Sequence, residues 1–243
     1  MRKIVIFSGA GLSAESGIPT FRDSGGLWEE HRIEDVATPI GWQKNPQLVL
    51  DFYAQRFLQM QSCQPNAAHL AIAHLAQQFD VLCLTQNIDT LLEQAGITNI
   101  RHLHGRIDYK KCEWHFSIPP VDADWQCDYR AEMTQPVQLG DLCPTCGRQL
   151  RPDIVWFGEA VNMPVEELYE IVSQVDLFIG VGTSAQVSPA ATLLRFFADV
   201  PEKYFIDPNP PLAALHGFTV LEGTASEKMP ELVELLSARL KNS

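Results

Sequence analysis

The chain has 243 residues, 46% of them hydrophobic, and a net charge of −12. That suffices for one large domain, or a domain with a modest insert, around a packed core. The charge argues against a general electrostatic hold on nucleic acid or on an anionic membrane surface and makes basic partners the easier fit. Every apolar run is far shorter than the ~20 residues a membrane-spanning helix needs. The basic start Met1-Arg2-Lys3 reaches Ser8-Gly9-Ala10-Gly11 too soon for a signal-peptide core, so a cytoplasmic N-terminus that begins in a strand is expected.

Ile4-Val5-Ile6-Phe7 is a β-rich run that feeds into Gly9-Ala10-Gly11-Leu12-Ser13-Ala14, the spacing of a G-x-G-x-x-G/A phosphate turn. Glycines there let backbone amides approach a pyrophosphate, although a tight strand-to-helix turn satisfies the same spacing. A dehydrogenase would follow with a second strand ending in an acid about 20 residues on. Here Gly17 to Trp28 follows instead, and its Pro and Gly content predicts a long loop without strand. Within it, Phe21 and Arg22 supply an aromatic plane and a fixed cation that could fold over a phosphate-bearing ligand.

From Trp42 to Leu75 the pattern is helical, with Leu48, Phe52, Phe57 and Leu58, then Ala67, Leu70, Ala71 and Leu75, divided at Gln64-Pro65-Asn66. A helical insert over about 29–65 is expected. Tyr53 and Arg56, three apart, share one helix face; taken alone they read as a half-buried phenol beside an exposed cation. Val81-Leu82-Cys83-Leu84 then reads as a buried strand ending at Thr85-Gln86-Asn87-Ile88-Asp89, and Ile100-Arg101-His102-Leu103 as a second ending at His104-Gly105. Amide, carboxylate and imidazole thus meet at strand carboxyl ends, where open parallel sheets place their ligand crevice.

A second insert, about 106–151, holds four of the six cysteines. Cys143-Pro144-Thr145-Cys146-Gly147 is a zinc knuckle. The other half is less regular, since Cys112 is followed by His115 at the matching spacing and by Cys127 farther on. Cys112, Cys127, Cys143 and Cys146 are the favoured ligands, with His115 as the substitute for Cys127. A closed four-ligand site would be structural. Pro152 to Glu159 then reads as a strand ending at a glycine, Val165 to Val172 as a helix, and Leu177 to Val181 as a buried strand ending in Gly182-Thr183-Ser184. Tyr204-Phe205-Ile206 is a strand whose terminal Asp207 is placed to bond ribose hydroxyls, and Phe218 to Leu221 leads through Gly223-Thr224-Ala225 into an amphipathic helix. The whole is expected to be a doubly wound α/β sheet, Rossmann-like, carrying two inserts that form a small lobe.

Taken together, Gly9 to Arg22, Thr85-Gln86-Asn87-Ile88-Asp89, His104-Gly105, Val155-Trp156-Phe157-Gly158-Glu159 and Gly182-Thr183-Ser184 resemble the sirtuins, NAD-dependent protein-lysine deacylases. The resemblance runs from about residue 4 to 236 and implies one catalytic domain whose cleft takes NAD from one side and an acyl-lysine peptide from the other. It implies that Ala10, Gly11, Thr183 and Ser184 hold the phosphates, that Phe21 and Arg22 belong to a lid, and that Gln86 meets the nicotinamide ribose. Gly9, Thr20, Ile88, Gly182, Asp207 and Ala225 complete the implied NAD contacts. Asn87 and Asp89 would form the nicotinamide pocket and share in catalysis, while Val155, Phe157, Gly158 and Glu159 would pair with the peptide backbone. His104 would be the general base, removing a proton from a ribose hydroxyl after the acyl oxygen has displaced nicotinamide, so that free lysine and O-acyl-ADP-ribose result.

Tyr53-Ala54-Gln55-Arg56 takes a second meaning from the same resemblance. In the sirtuins that prefer acidic acyl groups, a Tyr-x-x-Arg pair at this place binds the acyl carboxylate, which implies succinyl-, malonyl- or glutaryl-lysine as substrate, with deacetylation as a second activity. The rival readings are a general deacetylase, a mono-ADP-ribosyltransferase on the same scaffold, and a non-catalytic reader of NAD or acyl-lysine. An acyl-carboxylate clamp has no purpose in the transferase, and Asn87, Asp89 and His104 argue against the reader.

Overall fold

A computed structural model describes residues 2–20, 27–28, 31–115, 126–161, 163–184 and 190–240. The chain opens with β1 (Lys3–Ser8), two 3-10 turns (Ala10–Leu12 and Ala14–Ser16) and a small ribbon of β2 (Leu27–Trp28) and β3 (His31–Arg32). Helices α1 (Ile33–Val36), α2 (Pro39–Lys44), α3 (Pro46–Ser62) and α4 (Ala67–Ala76) come next. Their starts are written in the sequence. Thr38 and Asn45 cap α2 and α3 ahead of a proline, and Asn66 caps α4 in a reciprocal box with His69.

β4 (Asp80–Thr85), α5 (Leu91–Gln94) and β5 (Ile100–His102) lead into a three-stranded antiparallel sheet of β6 (Gly105–Cys112), β7 (Arg130–Glu132) and β8 (Leu150–Ile154). The chain then returns through α6 (Val165–Ser173), β9 (Leu177–Val181), α7 (Ala190–Phe196), β10 (Glu202–Asp207), β11 (Thr219–Glu222) and α8 (Ala225–Leu240). The large sheet is parallel throughout, in the order β11-β10-β9-β1-β4-β5. Its central strands are apolar on both faces because both faces are covered. Ile4, Ile6, Ile179 and Ile206 pack with Ile72, Leu75, Met229 and Leu236 of α4 and α8, while Val5, Phe7, Phe178 and Phe205 pack with Leu168, Leu193 and Phe197 from the α6–α7 side. β1 lies between β4, to which the chain runs on, and β9, which begins the other half of the sheet, so a crevice opens at their carboxyl ends.

A separate core unites the two inserts. Val49, Phe52, Tyr53 and Phe57 of α3 pack with Ile107, Cys112, Ile154 and Trp156 of the cysteine-bearing segment. Helical and cysteine-bearing inserts are therefore one small lobe with one apolar interior.

The structure departs from the sequence reading in three places. The segment expected to lack strand ends in β2, which pairs with β3 at the start of the expected helical insert. The strand expected to run to Gly158 stops at Ile154, because its partner β6 begins at Gly105, opposite Ile154. Leu58 and Leu70 are 56% exposed, since α3 and α4 bury stripes that miss them. Among the described residues no helix is long and apolar enough to cross a membrane.

Candidate active site

The residues that follow β1 and β9 meet backbone to backbone. Gly9 N–H donates to Val181 O at 3.1 Å and Gly11 N–H to Gly182 O at 2.8 Å. A Cβ on Gly11 would lie 2.6 Å from Gly182 Cα, and one on Gly182, whose φ is +61°, would lie 2.3 Å from Leu12 N. The glycines at 9, 11 and 182 thus let the two turns of Ala10 and Thr183 touch, which brings both to one point of the crevice. Thr183 is buried and donates to Gln86 Oε1 at 3.0 Å, linking the turn after β9 to the one after β4.

The turn after β4 is held by neutral side chains. Ser8 and Asn87 N–H both donate to Thr85 Oγ1, at 2.8 and 3.0 Å. Ser13, fully buried, donates to Asp89 Oδ2 at 2.9 Å and accepts from Asn87 Nδ2 at 3.1 Å. Burial raises the Asp89 carboxyl above its usual range, against the bonds it accepts from Leu91 N–H and Ser13. Ile88 packs against the small lobe and its carbonyl accepts from Ile107 N–H at 2.9 Å. Beneath the turn, His102 bonds Asn87 O at 2.9 Å through Nδ1 and Glu93 Oε1 at 2.8 Å through Nε2.

His104 follows β5 and is half-buried. Its Nδ1 lies 3.0 Å from Gln86 O, an acceptor, so Nδ1 carries the hydrogen and Nε2 the lone pair. Burial pulls the imidazole below its ordinary 6.5, with the Gln86 carbonyl acting the other way. Its surroundings thus make it a weaker base that stays neutral to lower pH. Gly105 then turns the chain from one sheet to the other at φ +80°, where a Cβ would sit 1.9 Å from Asp153 O. No other residue fits that crossing.

The small lobe completes the cleft. The His104 carbonyl accepts from Val155 N–H at 2.9 Å, and Phe157 N–H donates to Ala37 O at 3.0 Å, so the segment from Val155 to Phe157 ties the end of the large-sheet strand β5 to the helical insert. Phe157 is 44% exposed, Gly158 turns at φ +93°, and Glu159 accepts from Arg151 Nη2 at 2.5 Å and from Trp156 N–H at 2.9 Å. Tyr53 and Arg56 are buried at 1% and 8% exposure, against the surface reading of the bare helix. The Arg56 guanidinium lies 3.2 Å from the Phe52 ring centre and Nη1 donates to Phe52 O at 2.6 Å. Burial drives the Tyr53 hydroxyl far above its ordinary pKa, although Trp156 and the Arg56 charge act against it, so it is a donor at every working pH.

Asp207 is buried at the end of β10 and accepts from Asn209 N–H at 2.8 Å. Ala225 opens α8, whose start is bound by Glu15: Thr224 Oγ1 and Ser226 N–H donate to its carboxylate at 3.1 and 2.9 Å. Thr20 and Ser184 are half-buried at the margins of the crevice. Phe21 and Arg22 lie outside the described residues. Sequence reading missed Ser13, Glu15, His102 and Trp156 as parts of the site. Ser13 and Trp156 lie inside quoted motifs, but their partners are far away in sequence, so no local pattern marks them.

The four cysteines converge at the other end of β6 from His104, which immediately precedes that strand, while Cys112 closes it. The Sγ atoms of Cys112, Cys127, Cys143 and Cys146 all lie within 4.8 Å of one another, with Cys112–Cys146 at 3.4 Å and Cys127–Cys143 at 3.6 Å. A zinc ion with thiolates at ~2.3 Å requires sulfurs about 3.8 Å apart, so the set fits zinc. His115 is not among the clustered ligand atoms, and Cys127 takes the position for which both were considered. Burial opposes ionisation of Cys143, yet the N–H groups of Cys146 and Thr145 bring it down to about 7, as a thiolate ligand needs.

Comparison with known proteins gives a consistent set of relatives. The model of the Sir2 family matches residues 9–189. An NAD-dependent protein deacylase of Helicobacter pylori (strain J99) is 44% identical over 99% of this chain and 99% of its own length. One of Bacteroides thetaiotaomicron is 43% identical over 97% and 98%. A Sir2 homologue solved with ADP-ribose superposes at a TM-score of 0.84 with 35% identity, covering 99% of this chain and 94% of that one. A Sir2 homologue solved with NAD gives 0.83 and 36%, over 98% and 90%.

Proposed function

The chain belongs to the Sir2 family and is an NAD-dependent protein deacylase, and on that premise we propose that it prefers lysines carrying acidic acyl groups, succinyl, malonyl or glutaryl, with deacetylation as a second activity. The observation that carries the preference is the burial of Tyr53 and Arg56 in the small lobe, Tyr53 in its core with Phe57 and Trp156 and Arg56 over the Phe52 ring. Taking a guanidinium out of water is costly even with a ring face and a carbonyl beside it, and a carboxylate at the end of an acyl chain is the ligand that rewards it, with charge-assisted bonds from the guanidinium and a further bond from the phenol. The place is apt as well. Tyr53 touches Trp156, whose neighbour Val155 is bonded to the His104 backbone.

NAD, when bound, supplies the electrophilic anomeric carbon and leaves as nicotinamide and O-acyl-ADP-ribose. The chain's residues orient the partners. Ala10, Gly11, Thr183 and Ser184 hold phosphates, with Gly9 and Gly182 shaping the two turns; Gln86 and Asp207 take ribose hydroxyls. Asn87 and Asp89 receive the nicotinamide amide, pre-set by Ser13. Val155, Phe157, Gly158 and Glu159 face the peptide. With its Nδ1–H committed to Gln86 O, His104 accepts a ribose hydroxyl proton at Nε2. Zinc on Cys112, Cys127, Cys143 and Cys146 holds the lobe together and takes no part in the chemistry.

The test is a mass-spectrometric comparison of succinyl-, malonyl- and acetyl-lysine versions of one peptide, each with NAD, for wild type and Arg56→Met. Removing one partner of a buried charge pair costs about 2 kcal/mol or more, so the succinyl-to-acetyl ratio should fall at least ~30-fold in the variant. An unchanged ratio would return the protein to a general deacetylase.

A further inference from the structure

The seat of the Trp156 indole is more constrained than packing requires. Trp156 is 3% exposed, and its Nε1–H donates to the Tyr53 hydroxyl oxygen at 3.1 Å, across 103 residues of sequence. Its ring lies against the Arg151 guanidinium, 3.8 Å from the ring centre, and against Trp42 at 5.7 Å. Its backbone N–H donates to Glu159 Oε2 at 2.9 Å, and Glu159 Oε1 accepts from Arg151 Nη2. Arg151 is only 2% exposed. The indole is therefore clamped by the same ion pair that closes the turn from Trp156 to Glu159, and rotating it would disrupt a buried charge pair. Its neighbours in sequence extend the clamp to both sides of the cleft, Val155 to the His104 carbonyl and Phe157 to the Ala37 carbonyl.

An indole N–H can only donate, so the Tyr53 oxygen accepts in this pair, and its own hydrogen lies along another direction. A phenolic hydroxyl otherwise turns about its C–O bond to suit whatever is near. We propose that Trp156 is a specificity-positioning residue: by donating to the Tyr53 hydroxyl it sets the direction in which that hydroxyl donates, and so presets the phenol for an acyl carboxylate. This rests on the acidic-acyl reading of Tyr53 and Arg56. The acetyl group has no carboxylate to receive that hydrogen, so the indole contact separates the two kinds of substrate. A wedge that merely filled the core would act on both alike.

The experiment measures kcat and KM for succinyl- and acetyl-lysine versions of one peptide at saturating NAD, in wild type, Trp156→Phe, Tyr53→Phe, the double variant and Arg56→Met. Phenylalanine keeps an aromatic ring and removes the N–H. Losing one neutral hydrogen bond is worth about 3- to 10-fold, so Trp156→Phe should lower the succinyl-to-acetyl ratio of kcat/KM by that factor, chiefly through KM for the succinyl peptide. Added to Tyr53→Phe, it should lower the ratio no further, because the oxygen it acts through is gone. Equal losses on both substrates, or the same additional loss in the Tyr53→Phe background, would overturn the proposal. If Arg56→Met loses the preference and Trp156→Phe keeps it, the positioning role fails while the acidic-acyl reading stands; a wild type that prefers acetyl defeats both. Should Trp156→Phe not fold, indole N–H resonances of the five tryptophans can be followed by NMR in wild type and Tyr53→Phe. One indole resonance should move on loss of the hydroxyl and respond to succinyl- but not acetyl-lysine peptide; no such resonance would contradict the role.

Discussion

The two sides of the cleft are held in opposite ways. On the large-sheet side, Gly9, Gly11 and Gly182 dock backbone on backbone, and Ser8, Ser13, Thr85, Asn87 and Asp89 form a compact net of short, mostly neutral hydrogen bonds. On the small-lobe side, Lys111 bonds Asp153 at 3.4 Å, Arg130 bonds Asp153 at 2.6 Å and Arg151 bonds Glu159, in a lobe that also carries the four-cysteine cluster. The first side is built mainly of preset dipoles suited to a polar co-substrate, with the Asp89 carboxyl buried among them. The second buries charge, which costs stability unless every partner is present. Under the proposed function, the chemistry falls to one side and the choice of substrate to the other.

Removing the metal should break the contrast most severely. Chelation of zinc, or Cys143→Ser, leaves uncompensated thiols in the small-lobe core, so metal content, melting temperature and activity should fall together. A variant that loses its zinc and keeps its melting temperature would show that the cluster does not hold the lobe.

His104→Ala should show the reverse pattern. Loss of a general base costs about 10²- to 10⁴-fold in rate, with the melting temperature little changed, because the Nδ1 contact to Gln86 O is a single bond at the edge of a rigid net. In wild type the acid limb of kcat/KM should have its midpoint below 6.5, since burial lowers this imidazole and the neutral base persists to lower pH. A midpoint at or above 6.5 would assign the limb to another group.

The smallest effect concerns the weak point of the neutral side. His69, fully buried in the cap of α4, is lowered by burial to about 4, and its box partner Asn66 donates to Leu12 O and Ser16 Oγ of the glycine turn. The unfolded chain binds this proton below about 6.5 and the folded one only near 4, so stability is complete above 6.5 and lost as pH falls between them. The loss should reach about 3 kcal/mol, and His69→Gln should flatten that part of the urea-unfolding profile. An equal acid slope in the variant would place the weakness elsewhere.

The same contrast governs what the sequence could tell. The large-sheet side is written in short motifs, each contiguous: a glycine turn, a polar turn after an apolar run and a His-Gly pair each carry their own geometry, so the parallel sheet and the crevice at its strand ends were readable. The cysteine set was readable only in part, because Cys127 and His115 compete by spacing and only the folded distances separate them. The small-lobe contacts were not readable. Nothing near Trp156 marks Tyr53 as its partner, and the end of β8 is set by where β6 begins, at a glycine chosen for its approach to Asp153. Leu58 and Leu70 misled for a related reason: apolar residues beside a buried stripe look the same in sequence as those within it.

The most direct measurement is the wild-type ratio of kcat/KM for succinyl- and acetyl-lysine versions of one peptide, followed by NAD-dependent release of nicotinamide. A ratio well above one, with nicotinamide and free lysine formed in equal amounts, is the expected result. A ratio at or below one would contradict the assignment of Tyr53 and Arg56 as the acyl-carboxylate site.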